Sequence, residues 1–211
     1  YRWLRDTLCL EDVAEANSLG IDPYVLMANK HINQSPPGSR GVIFYSALFG
    51  SGYPTWDTNA TGMFLGLRNN HTKADMVRSV MEGITLESKY ILESVLAAGV
   101  QLEDVITITG GASKSAEWCQ IIADVMDRRI RTLNVADASI IGAAALAAVG
   151  AGLFGSLGEA VNNLFHYADE YVPIQANVET YKKSFEIYKA AYAGLKKANV
   201  FNMLADLRLQ Y

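Results

Sequence analysis

The feature that most restricts the fold is a short apolar run that meets two glycines and then a helical pattern. Residues 105–109 read VITIT, Gly110, Gly111 and Ala112 follow, and Trp118, Ile121, Ile122, Val125 and Met126 then share one face at helical spacing. β-Branched residues in a run of this length predict a strand. Glycines allow the tight reversal that leads from it into a helix. A further strand around residues 130–135 precedes a helix that Asp137 is placed to cap. Strand and helix alternate here as in an α/β layer.

The flanking segments fit around that unit. Residues 10–28 read as a short helical region, and 33–40 (NQSPPGSR) as a surface loop, because adjacent prolines and a glycine rule out regular structure. Residues 41–48 (GVIFYSAL) have the length and composition of a buried strand running into the turn-rich GSGYPTWDTNATG stretch. Thr72 and Asp75 form a capping-box start for a helix carrying Met76, Val77, Val80, Met81, Ile84, Ile91, Leu92 and Val95, which ends near Gly99. Val178, Tyr181, Phe185, Tyr188, Tyr192 and Leu195 step by three and four and predict one more amphipathic helix.

Composition narrows the class. With 50% hydrophobic and 19% charged residues the chain is expected to pack a core. A net charge of -4 gives no basic field for a nucleic-acid backbone. The two cysteines, Cys9 and Cys119, form no CxxC pair, so neither zinc nor a disulfide framework is suggested, and a reducing cytoplasm fits. Residues 139–154 are the most membrane-like stretch, but they fall short of the ~20 residues that span a bilayer. Their Ala and Gly content, with Ile140, Ile141, Ala144, Ala145 and Ala148 as a narrow stripe, predicts a close-packed interior helix. The opening YRWLRD carries neither Met nor a signal pattern and reads as the start of a fragment.

The glycine turn is the best candidate for chemistry, since exposed amides and a following helix N-terminus favour a phosphate or a ribose. Taken alone it reads more readily as the glycine turn that any strand-to-helix connection uses. It lacks the third glycine of the dinucleotide fingerprint and the lysine-serine ending of a Walker loop. Ser113 and Ser115 are placed to cap the next helix as well as to touch a ligand. His31, His71 and His166 stand apart with no second ligand at i+3 or i+4, which makes exposed loop histidines the expectation and gives no metal site. There is no GxSxG elbow. Trp56 and Asp57 would either contact a sugar by stacking and hydrogen bonding or cover a hydrophobic edge.

Several segments taken together resemble the FGGY family of carbohydrate kinases. Its second signature is matched by Gly62, Phe64, Gly66 and Leu67, then Asp75, Met76, Ser79, Val80, Met81 and Glu82. WLRD at residues 3–6, the GSGYPTWDTNATG loop, TGGASKSAEWCQIIADV and the small-residue helix at Gly142, Ala143 and Ala144 follow in family order, to about Leu195. There are departures. Ser51 and Gly52 stand where the family has a Glu-Arg pair, and Thr61 where an arginine is usual.

The resemblance implies the second lobe of an actin-like, ribonuclease-H-like ATPase, incomplete on its N-terminal side, over residues 1–198, with 199–211 as a C-terminal extension. It implies that Gly110, Gly111 and Ala112 touch ATP, that Ser115 approaches the adenine, and that Mg2+ assists. The catalytic base, the phosphate-gripping hairpin and most sugar contacts would lie upstream, leaving no catalytic and no metal-binding residue in this chain, which alone should be inactive. The implied acceptor is a xylulose-like ketose or gluconate, reached through the missing lobe. No nucleic-acid or membrane partner is expected, and a homodimer is left open. Two other readings stand beside this one. One is a non-catalytic α/β binding or scaffold module from the same family. The other is a Rossmann-type transferase, for which Asp137 would have to hold a ribose although it lies farther from Gly110 than the usual interval of about 20 residues.

Overall fold

The computed structural model describes residues 1–134 and 137–210. It comprises two compact units, Tyr1–Leu102 with Gln175–Tyr211, and Glu103–Ile174.

The larger unit is built on α4 (Lys73–Ala97), which buries Val77, Val80, Met81 and Leu86. Its start is fixed as the sequence predicts: Asp75 accepts from the Thr72 amide at 2.8 Å and from its hydroxyl at 3.1 Å. Before it come α1 (Arg2–Leu8), α2 (Leu10–Leu19) and α3 (Pro23–His31). The helical region read over residues 10–28 is two helices, because Gly20 takes a left-handed C-cap and Asp22 with Pro23 starts a new N-terminus. The strand expected over 41–48 shrinks to β1 (Ile43–Tyr45), paired antiparallel with β2 (Met63–Leu65) through Phe44 and Phe64. β1 lies directly on α4. A Cβ added at Gly83 would come within 2.2 Å of the Phe44 carbonyl oxygen, so only glycine permits this approach. The last predicted helix is α8 (Gln175–Lys197), which buries Val178, Tyr181, Phe185, Tyr188 and Tyr192. α9 (Val200–Arg208) turns back onto it with Phe201 stacked on Tyr192.

A buried polar hub ties these helices to the 33–40 segment. Glu82, 3% exposed, accepts from Arg78 Nε at 2.7 Å, Ser39 Oγ at 2.7 Å, Tyr181 Oη at 2.8 Å and the Gly38 amide at 3.0 Å. Arg78 also donates to the carbonyls of Ile32 and Ser35 and to Tyr181. The expected surface loop is therefore a correction. Ser35 and Ser39 are buried, because their hydroxyls reach the carboxylates of Asp75 and Glu82. His31 is a second correction. It is no exposed loop residue but lies buried in α3, with Nε2 3.1 Å from Asp12, a carboxylate that Lys30 and Lys73 also approach within 3.0 Å. Burial alone would raise the Asp12 carboxyl. Hydrogen bonds from Lys73, Lys30 and His31 outweigh it and hold the group well below its ordinary value.

The smaller unit is a three-stranded sheet in the order β3 (Val105–Ile108), β4 (Arg129–Leu133), β5 (Tyr167–Tyr171). β3 and β4 are parallel, joined by the crossover helix α5 (Ala116–Met126), and β5 pairs antiparallel with β4. Cys119, Ile121 and Val125 of α5 and Ile130 of β4 are buried. The strand read to residue 135 ends at Leu133, and Val135 lies outside the described residues. Asp137 caps α6 (Ala138–Gly150) by accepting from the amides of Ser139 and Ile140. The close-packed interior helix expected at 139–154 is not found. Ala145 is the buried residue of α6, while Ile140 and Leu146 are 66% and 63% exposed. A helix apolar on every side specifies no face, so its burial depends on what packs around it rather than on its own pattern. Among the described residues no helix is long and apolar enough to cross a membrane. α7 (Leu157–Leu164) leads into β5.

The hub makes a measurable prediction. Tyr181→Phe removes a donor to Glu82 and an acceptor from Arg78, leaving both short inside the core. Urea denaturation should show a loss of about 1–3 kcal/mol, and an unchanged midpoint would mean that the hub contributes nothing.

Candidate functional site

The turn after β3 brings Gly110, Gly111, Ala112 and Ser115 into one short structure. Gly110 has φ +85°, a left-handed value that a side chain disfavours, and Gly111 follows in the right-handed region. A single 3-10 turn, Ala112–Lys114, then delivers the chain to Ser115. The turn is closed by Ser113 Oγ donating to the Gly110 carbonyl at 2.8 Å, the Lys114 amide to Gly111 at 3.3 Å, the Ser115 amide to Ala112 at 3.2 Å, and Cys119 Sγ to Ala112 at 3.6 Å. Cβ atoms added at Gly110 or Gly111 would meet nothing within 4 Å, so the space over the glycines is open.

Ser115 is the N-cap of α5. Its hydroxyl accepts from the Trp118 amide at 3.2 Å and donates to Glu117 at 3.0 Å. The capping role read from sequence is therefore occupied on both sides. Ser113 does not cap; it locks the turn instead. The amides of Ala116 and Glu117, the first two of α5, have no intrahelical acceptor by the geometry of any helix start. Glu117 already places a carboxylate at the positive end of α5. A phosphate would meet that charge, whereas the neutral base and ribose of a nucleotide would not. Cys119, which sequence reading left without a role, ties α5 to the turn. Burial pushes its thiol up to about 11, which keeps it protonated.

One face of the same sheet carries a groove. Leu133, Leu146, Leu157, Val161 and Phe165 line an apolar groove of about 460 Å³ between the strands and the helices α6 and α7. β3 is the unpaired edge of the sheet, and its residues carry no charge, whereas the opposite edge β5 carries Asp169 and Glu170.

In the larger unit, Trp56 and Asp57 separate in role. Asp57 turns inward, accepting from Tyr192 Oη at 3.1 Å and from the amides of Asn59 and Ala60, with Lys196 at 3.5 Å. Trp56 is 75% exposed. Ser51, in place of a family glutamate, pairs its backbone with Asp57 and its hydroxyl with Thr55. His71 is held by the Arg68 amide in a loop, and His166 is exposed. Among the described residues no group of three or more His, Cys, Asp or Glu is placed to hold a metal ion.

Comparison with known proteins gives consistent matches. Residues 1–151 match the model of the FGGY family of carbohydrate kinases, C-terminal domain. The chain is 34% identical over 163 residues to the xylulose kinase of Staphylococcus xylosus, covering 77% of this chain and 34% of that protein. It is 29% identical over 191 residues to the gluconokinase of Bacillus subtilis (strain 168), covering 89% of this chain and 36% of that protein. The solved structure of xylulose kinase from Lactobacillus acidophilus superposes with a TM-score of 0.78 at 29% identity, over 92% of this chain and 37% of that one. The chain thus spans about a third of the length of the relatives it matches.

The cap can be tested by itself. Ser115→Ala should lower the unfolding free energy by about 1 kcal/mol, read by urea denaturation followed at far-ultraviolet wavelengths. No loss would show that the Ser115 hydroxyl is held for another purpose.

Proposed function

The chain belongs to the FGGY family of carbohydrate kinases, and from that premise we propose that it is the nucleotide-binding part of an ATP-dependent sugar kinase. The observation that carries this reading is the turn at Gly110 and Gly111, where a left-handed glycine and open space over both residues leave the backbone accessible. The Glu117 carboxylate favours the adenine and ribose side of ATP at this point rather than its phosphates. Gly110, Gly111 and Ala112 would contact the nucleotide, and Ser115 would face the adenine while still capping α5.

The chemistry follows from which groups are present and which are not. In phosphoryl transfer a carboxylate accepts the proton of the attacking hydroxyl while positive charge and amides stabilise the transferred group. Magnesium is commonly held by one or two carboxylates together with the phosphates of the nucleotide, and we assign no residue of this chain to it. The chain's part is to bind and orient the adenosine end. We place the base, the phosphate-gripping hairpin and most of the sugar pocket in further polypeptide, consistent with a chain spanning about a third of its relatives. The uncharged edge of β3 supports the same view, since an edge strand without charge or covering is normally paired or protected. The lobe so completed would be ribonuclease-H-like. The acceptor is a sugar of the xylulose or gluconate kind, two of the classes named among the relatives, which also include autoinducer-2 kinases.

A second reading, a non-catalytic module of the same family, is favoured by Ser51, Gly52 and Thr61, which remove three charged positions from one loop. Gly111→Val in the full-length polypeptide separates the two from error in the site. It fills the open space over the turn, and calorimetry should show ADP binding at least ~tenfold weaker, about 1.4 kcal/mol. Unchanged affinity would remove the turn from the nucleotide site. ADP binding without sugar-dependent turnover in the unmodified full-length polypeptide would favour the non-catalytic module.

A further inference from the structure

Gly110 and Gly111 share a peptide plane that their own conformational preferences do not fix. Glycine takes positive and negative φ about equally well. A plane between two glycines therefore turns over at little cost, exchanging its carbonyl for its amide while the chain on either side keeps its path. The following planes are held by backbone bonds. The Gly111 carbonyl accepts from the Lys114 amide at 3.3 Å, and the Ala112 carbonyl from the Ser115 amide at 3.2 Å. Among the described residues the Gly110 carbonyl has a different kind of partner, the side chain of Ser113, whose Oγ donates to it at 2.8 Å. Serine hydroxyls commonly bond back to a carbonyl three residues earlier. At this position the bond decides which way a glycine plane faces.

The other side of that plane is the Gly111 amide. The peptide is planar and trans, so its C=O and N–H point in opposite directions. With the carbonyl drawn to Ser113, the Gly111 N–H is turned away from that hydroxyl. Among the described residues it has no acceptor, and a Cβ added at Gly111 would meet nothing within 4 Å. A donor is thus held in one direction beside open space. We propose that Ser113 is a positioning residue of the nucleotide site: its hydroxyl pins the Gly110 carbonyl so that the Gly111 amide faces an acceptor on the adenosine end of the nucleotide. The proposal rests on the reading of this turn as the adenosine side of that site. Ser113 acts through the backbone, since its hydroxyl hydrogen is taken by Gly110. Without it the plane populates the flipped form, in which a carbonyl meets the ligand's acceptor and repels it. Affinity then falls by the fraction of molecules whose plane is correctly turned.

Ser113→Ala and Ser113→Thr in the full-length polypeptide provide the test, read by calorimetry with ADP and by thermal unfolding without ligand. Threonine keeps a hydroxyl able to reach a carbonyl three residues back. Ser113→Ala is expected to weaken ADP binding by about three- to tenfold, the range of one neutral hydrogen bond. The ligand-free midpoint should stay unchanged, and Ser113→Thr should restore the affinity of the unmodified polypeptide. Unchanged ADP affinity in Ser113→Ala would overturn the proposal and leave the nucleotide reading standing. A loss that threonine does not restore, or one accompanied by a lower ligand-free midpoint, would overturn it too, because a bond that only stabilises the fold behaves that way. No ADP binding by the unmodified polypeptide would remove the nucleotide reading and this proposal together.

Discussion

At the centre of the larger unit the Glu82 carboxylate collects four donors from three parts of the chain. These are Arg78 on its own helix, Gly38 and Ser39 in a segment more than forty residues earlier, and Tyr181 near the other end of the sequence. Burial pushes the carboxyl above its ordinary value, against the Arg78 guanidinium and the hydroxyls that favour its charged form. A group placed this way tolerates only one arrangement of its neighbours. An unpaired carboxylate inside a core costs several kcal/mol, whereas a fully bonded one costs little. The path of residues 33–40, the register of α8 on α4 and the burial of Tyr181 are therefore set together. β1 then lies across α4 at Gly83, where no side chain stands between the two backbones.

This dependence explains which parts of the fold are legible in the sequence. The elements fixed by local pattern read correctly: α4 from its Thr72 and Asp75 capping box, α8 from its aromatic spacing, and β3, the turn and α5 from VITIT and the two glycines. The elements fixed by distant partners do not. Residues 33–40 look like a surface loop because their prolines are visible and the carboxylates that bury Ser35 and Ser39 lie forty residues away. His31 looks isolated for the same reason, since Asp12 approaches it from another helix. α6 was expected inside because its residues are apolar, yet apolarity on all sides chooses no partner. β2 and β5 are short and polar or mixed in pattern, and α9 starts without a side-chain cap, so none of the three declares itself locally; α7 does carry a local start signal, Ser156 with Glu159, which is missing from the expectations above.

The candidate site divides along the same line. Gly110, Gly111 and Ser115 were legible because a glycine turn and a helix cap are local devices, and the left-handed φ of Gly110 and the cap bond to Trp118 are what such devices look like once folded. What the local pattern does not carry is the ligand. The proposed nucleotide rests on membership of the FGGY family, and its proposed orientation on the charge of Glu117 at the start of α5. The aromatic loop is the reverse case. Its sequence, PTWDTNATG, looks like a unit in which Trp56 and Asp57 act together, whereas the fold turns Asp57 in toward Tyr192 and leaves Trp56 in solvent.

The most direct measurement of the central claim is photolabelling of the chain with 8-azidoadenosine diphosphate, followed by peptide mapping, with excess ADP as competitor. If the turn is the adenine side of the nucleotide site, the competed label falls within residues 110–118, around Gly111 and Ser115. A competed label confined to the aromatic loop or to the helices of the larger unit would contradict the account.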